Sequence, residues 1–384
     1  MLIKSSWPIK AFAWSAYLLT FTAPLSIFAA QAFAAVVLVL GHLLLWPGAR
    51  RTSLHFGQAL LILSFLTILL VSSVLSPDFD AAVPQLKKSW VLFCFFPLTV
   101  LGWSYSARKT IQSLVWGTAL ASAIGIARFL FAGIERAAPF SGGYTTLALF
   151  EAATLPFAMI MFTEKGRNKL LSGFAILVII SGLLLTQTRA GWLAAIVAAL
   201  LVGYYLSRKM TLISLAAVLI LAAVLPLSRD IVKARLASDR QGGFTSGRLI
   251  LWSQAQEPIS NLPLFGHGPG SFKRLAPDSL YQKVGDPNVK SWHSTPLDIL
   301  IETGPLALAA IIGAMLIPLT FAWRAFQSQR RIAEGLGLFS ALVALYLGAL
   351  TTNLFRDFLL LCLLVVLWSL AFRPPEQTKN LQLD

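Results

Sequence analysis

Charge is what this sequence has least of. Charged side chains make up 12% of its 384 residues, against roughly 25% in an average soluble domain, and that shortage excludes an ordinary globular enzyme. Cysteine is nearly absent: Cys94 and Cys362 lie in apolar segments without metal-type spacing, so they read as packing residues and say nothing of redox compartment. There is no glycine-rich phosphate loop, nucleophile elbow or HExxH run, which leaves nucleotide hydrolysis, serine hydrolysis and zinc proteolysis unsupported. Fixed-period repeats and low-complexity tracts are missing too.

Apolar side chains, at 57%, are what is abundant. A bilayer-spanning helix needs about 20 mostly apolar residues, and such runs recur from Ala11 to Phe372. They predict an all-α polytopic membrane protein of about twelve spans, at 10–23, 27–46, 57–75, 89–104, 110–131, 145–163, 170–186, 190–206, 210–227, 305–323, 335–352 and 358–372. Pro24 divides the first apolar stretch into a hairpin. Lys4, Lys10 and the small residues near Ala30 mimic a signal peptide, but apolarity continues to Trp46, so an uncleaved hairpin is the reading adopted. The chain then divides into nine spans (1–227), a long loop with short helices (228–304), three spans (305–372) and a tail (373–384).

With the N-terminus inside, every cytoplasmic segment is basic, from Lys4 and Lys10 through Arg50, Arg51, Arg108 and Lys109 to Arg373, as the positive-inside rule requires. The opposite face is cationic as well. It holds Lys87, Lys88, Arg136, Arg189 and Arg356 in short loops, and nine more cations between Ser228 and His293. Short outside loops are not exempt from that rule, so an anion on that face is implied, either a lipid-linked substrate or phospholipid headgroups.

Arg189 and Arg248 each stand at or just before a predicted helix start, where the helix dipole already supplies positive charge. A phosphate between them reconciles the two features, since helix N-terminal amides and guanidinium forks both suit its oxygens; snorkelling to headgroups is the plainer alternative. In the long loop, Ser246 is expected to cap a helix with Leu249, Trp252 and Ala255 on one face, ended by Pro258. A second helix is expected after His293, with Thr295 as N-cap, Pro296 in the first turn and Asp298 as capping-box acid, broken at Gly304-Pro305 before the tenth span. The start of that helix favours a neutral His293 imidazole, which makes it the general-base candidate, although a histidine there can also be structural. His267, in the Gly266–Gly270 turn, reads as structural. Asp78-Phe79-Asp80 could in principle hold a divalent ion, but two acids in a solvated loop are usually only that.

Thr186-Gln187-Thr188-Arg189-Ala190-Gly191, Gly247-Arg248-Leu249-Ile250-Leu251-Trp252, Pro263-Leu264-Phe265-Gly266-His267-Gly268-Pro269-Gly270-Ser271-Phe272, and His293-Ser294 followed by Gly304 together resemble the O-antigen ligase and polymerase superfamily of bacterial envelope proteins. The resemblance implies a class C glycosyltransferase fold in the bacterial inner membrane, with its active site facing the periplasm. It implies transfer of a glycan from undecaprenyl pyrophosphate to a hydroxyl, which in the ligases belongs to lipid A-core. By the same resemblance Arg189 and Arg248 bind the donor pyrophosphate and His293 is catalytic; Lys87, Lys88, Arg136 and Arg356 are possible further substrate contacts. Neither metal nor other cofactor is implied, and partners are lipids and glycans, with no nucleic acid. The His293 to Gly304 spacing favours ligase. An O-antigen polymerase, with a lipid-linked acceptor, and a twelve-span transporter remain alternatives.

Overall fold

A computed structural model describes residues 7–45, 56–164, 169–206, 247–284, 289–328 and 332–373. The expected span at 210–227 and the expected cap Ser246 lie outside the described residues.

Every regular element among the described residues is helical. The first nine are α1 (Trp7–Thr22), α2 (Ile27–Leu45), α3 (Phe56–Leu75), α4 (Phe79–Ser89), α5 (Phe95–Val100), α6 (Ala107–Phe131), α7 (Tyr144–Thr163), α8 (Lys169–Leu185) and α9 (Arg189–Leu206). Four short helices follow, α10 (Arg248–Gln254), α11 (Gln256–Ser260), α12 (Phe272–Leu275) and α13 (Asp278–Val284), and then α14 (Thr295–Gln327), α15 (Ile332–Ala349) and α16 (Phe358–Ala371). Six of them, α2, α3, α6, α7, α9 and α14, are long and apolar enough to cross a membrane, and α8, α15 and α16 are shorter apolar helices. The architecture is that of a multi-pass membrane protein.

Two helices make the centre. α7 is buried without interruption from Thr146 to Met161, and all of α16 is buried, as expected of helices apolar on every side. Around them, α2 and α8 turn Phe28, Leu43, Leu170 and Leu177 outward. α3 is fastened along α14 by two buried bonds, Gln58 Nε2 to the Ala314 carbonyl (2.9 Å) and Ser72 Oγ to the Glu302 carbonyl (2.8 Å), which act as interhelical glue in an apolar medium.

The expected span 89–104 is not one continuous helix. It runs as a 3₁₀ turn (Trp90–Cys94), α5 and a second 3₁₀ turn (Gly102–Ser104). Pro97 offers no N–H to the Phe93 carbonyl, which removes one α-helical bond from the middle of the segment. Ahead of it, α4 takes Asp78 as its N-cap, the carboxylate accepting the Ala81 N–H at 3.0 Å; one of the two acids weighed as metal ligands thus has a local structural partner.

α14 carries the expected break, with Gly304 at φ 87, ψ 173. Pro305 cannot donate to the Ile301 carbonyl. The Gly266–Gly270 turn supplies what is missing: the His267 N–H donates to Ile301 (2.8 Å) and the Gly268 N–H to Glu302 (2.9 Å). The turn lies so close that a Cβ on Gly304 would stand 2.2 Å from the Leu264 carbonyl oxygen.

Gly304→Ala is therefore expected to lower the detergent melting temperature well beyond Gly133→Ala. Gly133 has φ 65 but nothing within 4 Å of its Cβ position, so alanine there meets only left-handed strain of about 1–2 kcal/mol. Equal melting shifts would show that the turn moves aside at no cost.

Candidate functional site

α7 and α9 pack against each other at their first turns. A Cβ built on Gly191 would fall 2.7 Å from the Ala148 Cβ, so only glycine permits the approach. Ala148 is one turn into α7 from Tyr144, and Gly191 is two residues into α9 from Arg189, so this contact sets the two helix starts side by side. The loop before α7 is stitched to the turn before α9: Ala137 donates its N–H to the Leu185 carbonyl (2.9 Å), and Gln187 Nε2 donates to the Glu135 carbonyl (3.3 Å). Arg136 sits between those two anchors, its guanidinium carbon 4.3 Å from the Tyr144 ring centroid, within cation–π range.

Arg248 opens α10 after Gly247, whose φ of 71 makes it a left-handed N-cap. Burial pulls the Arg248 pKa below its ordinary value; Tyr144 opposes that shift and the like charge of Arg189 adds to it. Arg248 is thus within electrostatic reach of both Tyr144 and Arg189. The face of α10 differs from expectation: Leu251 and Ala255 are buried, whereas Leu249 is 56% exposed. Pro258 lies inside α11 and does not end α10. Trp252, four residues beyond Arg248, donates its Nε1–H to the Trp292 carbonyl at 3.0 Å, which joins the arginine's helix to the residue before His293.

His293 is half-buried with φ 52, and Gln187, two residues before Arg189, has the same value. No other described non-glycine residue has positive φ, and both flank candidate residues, as stored backbone strain at functional sites tends to do. The peptides around His293 are held tightly. Trp292 is fully buried against Phe272 (centroids 4.9 Å apart) and donates its N–H to Asp298 Oδ1 (2.9 Å). The helix cap falls one residue earlier than expected. Ser294 is the N-cap without a side-chain bond, while the Thr295 hydroxyl donates to the Thr352 carbonyl (2.6 Å) and accepts the Leu354 N–H (2.9 Å).

The remaining expected cations stand on a neighbouring patch. Arg356 donates to the buried Glu302 carboxylate and to the Lys290 carbonyl. Lys88 donates to the Arg356 carbonyl at 2.7 Å, and Lys87 is exposed. His267 bonds through Nε2 to the Pro258 carbonyl (3.0 Å), a local structural tie. Sequence reasoning missed Tyr144 and the Glu302–Arg356 pair. A tyrosine directly after Gly142-Gly143 and opening a helix was a local signal for the first; partners more than fifty residues apart left none for the second.

The arrangement is that of a helical membrane protein with arginines opening α9 and α10, the second of these helices tied to the residue before a strained histidine. Residues 174–312 match the family model described as O-Antigen ligase; this stretch is a domain of the O-antigen ligase and polymerase superfamily. It includes Arg189, Arg248, His293 and Gly304. No curated protein matches the chain.

Removing one partner of a buried ion pair leaves the other charged and unpaired, at roughly 3–5 kcal/mol. Since Glu302 is 1% exposed, Arg356→Met should destabilise the protein more than the double variant Arg356→Met/Glu302→Met. Chemical denaturation in detergent checks the order, and a double variant less stable than the single would refute it.

Proposed function

We propose that the protein is an inverting, metal-independent glycosyltransferase that moves O-antigen polysaccharide from undecaprenyl pyrophosphate to a sugar hydroxyl of lipid A-core, at the periplasmic face of the bacterial inner membrane. What supports this reading is that Arg189 and Arg248 each open a helix and lie within electrostatic reach of each other, with Tyr144 in reach of Arg248 and stacked on Arg136, and that the helix of Arg248 is tied through Trp252 to the residue before His293. Like charges set together at helix starts need an anion between them. A pyrophosphate has the right charge, and its oxygens suit paired guanidinium forks.

The chemistry follows from those groups. The acceptor hydroxyl attacks the anomeric carbon as His293 takes its proton. The bond from that carbon to the pyrophosphate oxygen breaks on the opposite face, and undecaprenyl pyrophosphate departs with the electron pair. The arginines stabilise charge that grows on the leaving group, and the histidine removes the proton that would otherwise build up on the nucleophile. Lys87, Lys88 and residues 228–304 as a periplasmic loop belong to the same proposal, with about twelve spans around them. Arg356, bonded to Glu302, serves here by holding the His293 segment.

A polymerase would share the donor and differ in acceptor. In a deletion strain, long glycan accumulating on the undecaprenyl carrier supports ligase, whereas single repeat units on core indicate polymerase. A transporter would need a polar path through the bilayer centre. Within the helices, Arg128 donates to the Ala138 and Pro139 carbonyls in the loop after α6, and the buried Glu151 accepts from Ser122 Oγ at 2.7 Å.

With purified protein and lipid-linked donor, His293→Ala should abolish transfer while preserving expression; full turnover would remove the base assignment. Arg189→Lys should also lose activity, because a point charge does not reproduce a bidentate fork, and wild-type donor affinity in that variant would count against pyrophosphate binding there. Turnover should persist in excess chelator; loss restored by magnesium would overturn metal independence.

A further inference from the structure

His293 is the one candidate residue whose own backbone is strained, and the bonds that impose the strain converge on one side chain. Asp298 is 2% exposed and sits one turn into α14. Its Oδ1 accepts the N–H of Trp292, the residue before His293, at 2.9 Å. The Asp298 N–H in turn donates to the Ser294 carbonyl at 2.8 Å. A left-handed conformation at a residue with a β-carbon costs about 1–2 kcal/mol and persists only where its surroundings over-determine it. The Trp292 peptide, tied by its N–H to the Asp298 carboxylate, and the Ser294 peptide, tied by its carbonyl to the Asp298 N–H, are such surroundings.

The carboxylate is itself anchored. Glu302 lies one turn further along the same buried face and receives the Arg356 guanidinium. Arg356 reaches from there to the Lys290 carbonyl, three residues before His293. The two acids and the arginine therefore grip the segment 290–294 from α14 and from the turn before α16, while the imidazole stays half-exposed.

Resting on the general-base reading of His293, we propose that Asp298 is its positioning residue: its carboxylate holds the Trp292 peptide so that the imidazole stands where the acceptor hydroxyl arrives, with the Glu302–Arg356 pair as the anchor of the same segment. Asp298 touches neither substrate nor leaving group and acts only through the histidine. Misplacing a catalytic group by about 1 Å costs on the order of 10²-fold in rate, and that loss belongs to turnover alone, since the anion is held by Arg189 and Arg248 on other elements.

The test uses purified full-length protein in detergent, a lipid-linked glycan donor, and inorganic pyrophosphate as a competitive probe of the arginine site. Asp298→Ala should lower kcat by about 10²-fold while donor KM and pyrophosphate inhibition stay within about twofold. Asp298→Asn, which keeps an acceptor oxygen for the Trp292 N–H, should recover most of that loss. His293→Ala/Asp298→Ala should be no slower than His293→Ala, because a positioning residue has nothing left to position. Wild-type kcat in Asp298→Ala, with His293→Ala inactive, overturns this inference and leaves the base assignment standing. Loss of pyrophosphate inhibition in parallel with kcat, or a further loss in the double variant, overturns it as general structural damage. Full turnover in His293→Ala overturns both.

Discussion

Pro305 has no N–H to give, so the helix that contains it cannot close its turn on Ile301, and the chain reverses one backbone torsion at Gly304 instead. The carbonyls released on the inner side of that break are buried, and a buried carbonyl without a donor costs about 1–3 kcal/mol. His267, Gly268 and Ser72 provide the donors. Because the first two are consecutive amides of one turn, the loop is seated in a single register against the helix. Beside that seat Glu302 meets Arg356, and Arg356 meets the segment leading into His293.

Electrostatics at the other side of the site runs against intuition. Cations are mildly unfavourable where a helix begins, yet Arg189 and Arg248 each open one, and Arg136 joins them over the face of Tyr144. The ring offsets part of that positive charge, and the remainder is a standing demand for an anion. The segment matched as O-Antigen ligase, residues 174–312, contains two of these arginines and the histidine. Arg136, Tyr144 and Arg356 lie outside it, so the proposed site draws on parts of the chain that the match does not reach.

The legible parts of the sequence were those governed by local rules. Apolar runs bounded by charge or proline located α2, α3, α7 and α9 to within a residue or two, because burial and helix length depend on nearby composition. Gly304-Pro305 marked the break in α14 for the same reason. Local rules failed where a partner came from far away. Thr295 has the form of an N-cap, but its hydroxyl is taken by residues 352 and 354, which shifts the cap to Ser294. Arg356 reads as a free cation of an outer loop until Glu302 is brought against it. Leu249 has a helical spacing with Trp252, yet the face that α10 buries is decided by the small core around Trp292 and Phe272. That Arg189 and Arg248 open helices was legible from local signals; Tyr144 left only the local signal of a tyrosine opening a helix after two glycines, and the stacking of Arg136 on its ring depends on how the chain folds around it.

One consequence of the central position of α16 concerns membrane thickness. Its fourteen residues rise only about 21 Å at 1.5 Å each, well short of the roughly 30 Å of hydrocarbon in a bilayer. A helix that short, facing lipid, would thin the membrane or tilt its neighbours. Enclosed on every side by protein, it meets no acyl chains, and its polar ends, Asp357 with its Thr146 partner at one and Arg373 at the other, are solvated by side chains and backbone. The bundle can therefore carry a short inner strut while its outer helices alone answer to the width of the lipid.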